Sequence, residues 1–295
     1  MKDRIIYALG FFDGVHLGHQ SLLTACGKLA EETGAKAGVV TFDAHPETLV
    51  LGKSPALINT PADRERLLTQ YGAETIVTLP FDKKLMEMPW QDFLALLMEN
   101  YGAVGFVCGA DFRFGHKGEG NTQKLQEACK KYAIPCIVLP EQTLEGSKIS
   151  STRIRSLLEQ GDAETANRLL GHPHIFTGTV MPGRQLGRTI GIPTANLLPP
   201  EGLAIPKFGV YACLALVDGR KYMAVTNVGM RPTVGGHHVT VEPWLLDFEG
   251  DLYGKDLTLE FYKFLRPEQK FPDLPSLRQE ILQNGEQVRK IFEKS

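Results

Sequence analysis

Residues 4 to 19, Arg4-Ile5-Ile6-Tyr7-Ala8-Leu9-Gly10-Phe11-Phe12-Asp13-Gly14-Val15-His16-Leu17-Gly18-His19, carry the chain from one kind of backbone to another. Arg4 to Phe11 reads as a buried strand. After Gly10 to Gly14, the apolar positions Leu22, Leu23, Cys26, Leu29 and Ala30 recur at helical spacing, so a glycine-rich turn feeds a strand into a helix. The alternation then repeats: Gly38 to Phe42, Thr75 to Leu79, Gly105 to Cys108 and Cys136 to Leu139 are strand-like. Pro61 to Tyr71, Trp90 to Tyr101 and Thr122 to Tyr132 are helical. Short apolar strands separated by helices predict an α/β doubly wound parallel sheet. Ligands of such sheets sit beyond the carboxyl ends of the strands, where the first turn and the Gly109 to Gly120 loop converge.

Near Gly171 the pattern changes. β-branched and aromatic residues dominate from Ile175 onward, and Val210 to Val217 and Tyr222 to Val228 flank Asp218-Gly219 as a hairpin. Leu257 to Phe264 adds a strand. Leu277, Ile281, Val288, Ile291 and Phe292 mark a closing helix despite Gly285 within it. The chain of 295 residues is about twice the usual domain size. Two domains are expected, residues 1–171 with Ser151 to Leu170 as connecting helices, and 172–295 as a β-rich unit.

Hydrophobic residues make up 43% and charged residues 22%, an ordinary globular composition. The net charge is -2, divided as -3 before residue 172 and +1 after it. Neither half is basic, so the counterion release that drives nucleic-acid binding is weak and no nucleic-acid partner is expected. No apolar run approaches the roughly 18 residues of a membrane span, and Asp13 interrupts Ile5 to Phe12 before it could form a signal-peptide core. Five scattered cysteines without a C-x-x-C pair read as reduced thiols. A cytoplasmic protein with no membrane partner is expected.

The turn Gly10 to His19 places His16 and His19 three residues apart at a helix opening, where unpaired N–H groups and positive potential suit a nucleotide phosphate. Gly10, Gly14 and Gly18 let that phosphate approach the backbone. A glycine-rich turn with a capping histidine is the plainer alternative. Ser150, Ser151, Thr152, Arg153 and Arg155 supply hydroxyls and guanidiniums at another helix start, which alone read as an N-cap with solvated arginines. In the second part, Gly183-Arg184-Gln185-Leu186-Gly187-Arg188 offers a loop that could cover phosphates through backbone N–H groups. It is not a P-loop, since no lysine follows Gly187. Thr194 and Asn196, alternate residues of an extended strand, could ligate one hard cation such as Mg2+. Glu242 is a carboxylate able to orient a hydroxyl and take its proton, although most strand glutamates are merely solvated.

Taken together, the sheet, the H-x-G-H turn and the Ser-Ser-Thr-Arg segment resemble the nucleotidyltransferase superfamily. Thr41-Phe42-Asp43-Ala44-His45-Pro46 and Gly109-Ala110-Asp111-Phe112-Arg113-Phe114-Gly115 look like the flavin-side and nucleotide-side loops of its FMN adenylyltransferase branch. Gly183 to Gly187, Pro193-Thr194-Ala195-Asn196, Gly209-Val210-Tyr211, Asn227 to Thr233, Val241-Glu242 and Leu265 to Phe271 look like the riboflavin kinase family. Their order resembles that of the prokaryotic bifunctional riboflavin kinase/FAD synthetase family, over nearly the whole chain. The resemblance implies a nucleotidyltransferase domain followed by a β-barrel kinase domain with a C-terminal helix, acting on riboflavin, FMN and ATP with Mg2+, and with FMN and FAD as substrate and product rather than prosthetic groups. It also implies catalytic His16, His19, Arg153 and Glu242, and ATP contacts at Gly10, Phe11, Gly14, Gly18, Asp111, Ser150, Ser151, Thr152, Gly183, Arg184, Gly187 and Arg188. Flavin contacts are implied at Phe42, Asp43, His45, Pro46 and Arg266, and Mg2+ ligands at Thr194 and Asn196. Two departures stand out: Ala44 where proline is usual, and Pro243-Trp244 where a small or polar residue and then His or Asn are usual. Rival readings are a nucleotidyltransferase for a non-flavin substrate and a non-catalytic flavin- or nucleotide-binding regulator.

Overall fold

Strand β1 (Ile5–Leu9) is buried along its whole length and pairs in parallel with β2 (Lys36–Phe42) and β4 (Ala103–Gly109). With β3 (Thr75–Leu79) and β5 (Cys136–Leu139) the sheet has the order β3-β2-β1-β4-β5, all parallel. The crossovers are α1 (Leu17–Thr33), then α2 (Pro46–Leu51) and α3 (Pro61–Gln70), then α4 (Lys83–Met86) and α5 (Trp90–Tyr101), then α6 (Thr122–Lys131). A parallel sheet covered by helices needs strands that are apolar on both faces, which is why β1 reads as an unbroken hydrophobic run. A small hairpin, β6 (Thr143–Leu144) and β7 (Ser147–Lys148), follows. The structure is a computed structural model that describes residues 3–52, 54–183, 186–233 and 236–293.

Contacts divide the chain into two compact units, Met1–Ala56 with Pro61–Ser151, and Leu57–Thr60 with Thr152–Ser295. The connecting helices α7 (Ser151–Gln160) and α8 (Ala163–Leu170) therefore group almost entirely with the second unit, unlike the expected boundary at Gly171. The reason is packing. Ala163 joins the second core, Asn167 Nδ2 donates to the Phe261 carbonyl at 2.7 Å, and the Lys207 N–H donates to the Leu158 carbonyl at 2.9 Å.

The second sheet runs β11-β10-β9-β12-β8, built from β8 (His174–Thr179), β9 (Gly209–Val217), β10 (Arg220–Thr233), β11 (Gly236–Leu245) and β12 (Asp256–Arg266), every pair antiparallel. The predicted hairpin turn is present: Asp218 and Gly219 both have positive φ, 47° and 78°. Segment 195–197 completes the barrel. Ala195 and Leu197 donate to the carbonyls of Pro243 and Val241 on β11, and the Asn196 carbonyl accepts from Met181 just past β8. A short helix, α9 (Leu186–Thr189), precedes this segment, and α10 (Leu274–Phe292) closes the chain.

Strand alternation then gives the second unit two different faces. Tyr211, Cys213, Ala224, Val228, Val241 and Leu245 point into the barrel core. Val210, Ala212, Val225 and Trp244, their neighbours in sequence, form a separate cluster with Val288, Ile291 and Phe292 of α10. The outer face of the sheet is thus apolar because a helix covers it.

Candidate active sites

In the first unit the β1–α1 turn departs from ordinary backbone geometry. Phe12, Gly14 and Val15 have φ of 61°, 83° and 39°, and for β-branched Val15 this is a true outlier, of the kind that persists where surroundings over-determine it. Those surroundings are visible. The Gly10 N–H donates to the Val40 carbonyl, Thr41 Oγ1 donates to the Phe11 carbonyl at 2.9 Å, and Ser151 Oγ donates to the Asp13 carbonyl at 2.9 Å. The turn delivers His16 as the N-cap of α1, its Nδ1 accepting the His19 N–H at 3.3 Å. That bond places the proton of a neutral His16 on Nε2.

The two imidazoles stack with centroids 3.6 Å apart and 12° between planes, and Phe12 lies 5.1 Å from the His19 ring. Burial first, then the His16 ring and the Arg64 guanidinium, hold the His19 pKa well below its usual 6.5. Its Nδ1 is buried without a hydrogen-bond partner among the described residues. A neutral ring there can hydrogen-bond a phosphate oxygen without meeting a second imidazolium charge.

The loop from Phe42 to Pro46 meets this turn directly. Phe42 ends β2, Asp43 accepts the Phe81 N–H at 2.8 Å, and His45 caps α2, whose first residue is Pro46. The His45 ring sits edge-on to Phe11 at 4.7 Å. Behind both lies Arg64 of α3, which sequence reading missed. It is 4% exposed, donates to the carbonyls of Phe11 (3.3 Å) and Phe42 (2.8 Å), and places its guanidinium 4.4 Å from the Phe11 ring centre. Within Pro61-Ala62-Asp63-Arg64-Glu65-Arg66 nothing marks one arginine as buried. Asp111 stands past the end of β4 with Lys148 3.6 Å away. Thr152 and Arg153 follow Ser151 on the first turn of α7, and Ser150 immediately precedes that helix.

In the second unit a cavity of about 340 Å³ lies between the outer face of the sheet and α10. Strand register builds its wall. Glu242 pairs with Asn227, Asn227 with Val210 and Val210 with Arg266, while Trp244 pairs with Val225. These residues all line the cavity. The Thr240 hydroxyl donates to Glu242 Oε1 at 2.9 Å, orienting the carboxylate. Asn227 Nδ2 donates to Glu268 at 3.3 Å. Arg266 Nε is 2.9 Å from Glu280 and donates to Asn284 Oδ1 at 3.1 Å, so strand and helix are joined at the cavity edge.

Thr194, Asn196, Gly183 and Gly187 line the same cavity, and the Leu197–Val241 bridge sets Asn196 beside Glu242. A Cβ at Gly187 would collide with the Ile192 carbonyl oxygen, so only glycine allows the loop to fold back. Asn196 Oδ1 is buried with no hydrogen-bond partner among the described residues, which fits an acceptor waiting for a hard cation. Arg184 lies outside the described residues, as does the side chain of Arg188. All five cysteines are unpaired.

Two known families match in tandem: FAD synthetase over residues 1–153 and riboflavin kinase over residues 170–292. The bifunctional riboflavin kinase/FMN adenylyltransferase of Listeria monocytogenes is 34% identical over 295 residues, spanning 98% of this chain and 93% of that protein. The Bacillus subtilis protein of the same name is 35% identical over 297 residues, spanning 99% and 93%. A crystal structure described as a macrolide-efflux protein from Streptococcus pneumoniae shares the fold with a TM-score of 0.88 at 32% identity, over 98% of this chain and 94% of that one. Among the described residues here, no helix is long and apolar enough to cross a membrane.

Proposed function

The chain belongs to the bifunctional riboflavin kinase/FMN adenylyltransferase family and is a transferase with both activities, and we propose that FMN is made in the cavity beneath α10 and converted to FAD at the His16/His19 turn. ATP serves both steps. The observation that carries this division is the strand register that sets Glu242, Asn227 and Arg266 on one apolar-walled face in the second unit. In the first unit, a helix N-terminus and two stacked histidines converge at the ends of parallel strands.

In the kinase step the terminal ribityl hydroxyl of riboflavin attacks the γ-phosphorus of ATP, the bond to ADP breaks, and the hydroxyl proton passes to Glu242, held ready by Thr240. Asn196 and Thr194 are the residues that would hold Mg2+ brought with ATP, and the cation when bound offsets phosphate charge. Gly183 and Gly187 bring the backbone of their loop over the nucleotide, and Arg266 flanks the flavin. In the adenylyl step a phosphate oxygen of FMN attacks the α-phosphorus of ATP and pyrophosphate leaves. The N–H groups opening α1, with His16 and His19, stabilise the charge that builds on the phosphates, while Ser150, Ser151, Thr152, Arg153 and Asp111 complete the nucleotide side. Phe42, Asp43, His45 and Pro46 face FMN. Neither step needs a protein nucleophile; positioning and electrostatic stabilisation suffice. Reduced, unpaired thiols fit a cytoplasmic location.

The test follows the flavins. With riboflavin, ATP and Mg2+, FMN should form and then FAD. Asn196→Ala should raise the Mg2+ concentration needed for FMN formation at least roughly tenfold, as loss of one metal-facing ligand does, and leave supplied FMN converting to FAD. Equal loss of both reactions would overturn the two-site division.

A further inference from the structure

Trp244 and Gly285 are each unexpected alone. Glycine is a poor residue for the interior of a 19-residue helix, and tryptophan departs from the residue usual two places after the strand glutamate. The structure joins them. Gly285 is buried on the sheet-facing side of α10, and a Cβ there would stand 2.9 Å from Trp244 Cζ3 and 3.2 Å from Cη2. No alanine fits without moving the indole or the helix. Ile281 and Leu277, one and two turns before Gly285 on the same helix face, line the cavity together with Trp244.

Trp244 shares a strand face with Glu242, two residues away, a displacement of about 7 Å along the strand. That is comparable to the reach of a ribityl chain. The chemistry changes along the strand: Asn227, bonded to Glu268, and Asn196 flank Glu242, whereas Val225 pairs with Trp244 and the Gly285 face of α10 packs on the indole, making that end apolar. A flavin whose terminal hydroxyl meets Glu242 therefore brings its fused ring into the apolar end. There, an electron-rich indole faces an electron-poor heterocycle.

We propose that Trp244 is a specificity-determining residue of the kinase site, its indole forming the end wall against which the isoalloxazine ring lies, and that position 285 is glycine so that α10 can close over that indole. The inference rests on the cavity beneath α10 being the riboflavin site. Aromatic contact of this kind adds to affinity beyond area burial and does not act on the reacting phosphate. Its signature is therefore in flavin binding, not in turnover.

The experiment titrates riboflavin into the full chain and reads flavin fluorescence, then measures both reactions. Bound riboflavin should be dark in the unaltered chain, because an indole in contact quenches an excited flavin by electron transfer. Trp244→Phe, which keeps an aromatic filler, should bind riboflavin but leave it bright. Trp244→Leu should weaken riboflavin binding about tenfold and leave kcat, the KM for ATP and the FMN-to-FAD reaction unchanged. Gly285→Ala should raise the KM for riboflavin in the unaltered chain and not in the Trp244→Leu background, where the added methyl has room. Bound flavin as dark in Trp244→Phe as in the unaltered chain overturns the proposal. So does a shift in the KM for ATP in place of riboflavin, or a Gly285→Ala penalty that persists without the indole. Failure of the unaltered chain to bind riboflavin at all would instead remove the reading of the cavity on which the proposal stands.

Discussion

The two sites are assembled by opposite means. In the first unit, functional groups sit on turns past the ends of parallel strands, where Phe12, Gly14 and Val15 hold rare backbone angles and Arg64 ties two neighbouring loops by their carbonyls. The second unit uses strand register: pairing lines up Glu242, Asn227 and Val210 from three strands, and a register shift between Phe264 and Arg266 brings Arg266 of a fourth opposite Val210. A turn-built site is compact in sequence and depends on local geometry. A register-built site is scattered in sequence, and a one-residue slip would send its residues into the barrel core.

The largest expected effect tests whether the scattered set is a reacting site. Glu242→Gln keeps size and the hydrogen bond from Thr240 but removes basicity, so kcat for FMN formation should fall roughly 10² to 10⁴-fold, with riboflavin binding little changed. FMN supplied from outside should still become FAD. A raised KM with unaltered kcat would make Glu242 a substrate contact only, and an unaltered kinase would return it to a solvated strand residue.

The matching change in the turn-built site has the same lower bound and a lower ceiling, about 10³-fold. His19→Ala removes one donor to the departing pyrophosphate, and FAD formation should drop by at least roughly a hundredfold while FMN formation continues. Measured together, the two variants give opposite flavin patterns: riboflavin persists in the first and FMN accumulates in the second. If both variants lose both reactions, the contrast between the sites collapses.

Much of the first unit is legible in sequence because its strands are short apolar runs and its helices carry one clear stripe. Short α2 and α4 are not, since a single turn has no period to read. Ser151 to Leu170 shows an apolar face, but periodicity does not say which sheet it covers; Ala163 and Asn167 settle it on β12. The cavity under α10 is hidden for a related reason. Ala224, Val225 and Val228 are all apolar although they point to different faces, so the pattern cannot show that one face belongs to the barrel core and the other to a ligand cavity under α10. His16, His19, Asn196 and Glu242 stand out in the sequence through their motifs. Arg64 had no such signal, because the same residue type in Arg66 beside it is half-exposed and paired with Asp63 at 3.2 Å.

Each unit also holds a histidine whose pKa is depressed, and the smallest expected effect separates their purposes. His19 is held neutral at the mouth of a site. His174, at the start of β8, is 1% exposed, has Nδ1 without a hydrogen-bond partner among the described residues, and lies 5.6 Å from the Phe261 ring centre. Burial, then the nearby His172, lowers the His174 pKa from 6.5 to about 3. The unfolded chain therefore binds a proton at this position near pH 6.5 that the folded chain refuses until about pH 3. Stability from this group is complete above pH 6.5 and is lost as the pH falls, at about 1.4 kcal/mol per pH unit, or about 2 kcal/mol by pH 5. Urea unfolding of the second unit, followed by Trp244 fluorescence in a Trp90→Phe background, should show that decline between pH 7 and pH 5. His174→Leu should flatten the slope whatever its offset at pH 7, because it removes the proton without removing a bond at Nδ1. Equal slopes in the two proteins would mean that His174 is protonated in the folded state. The second unit would then have no buried neutral histidine to set against His19.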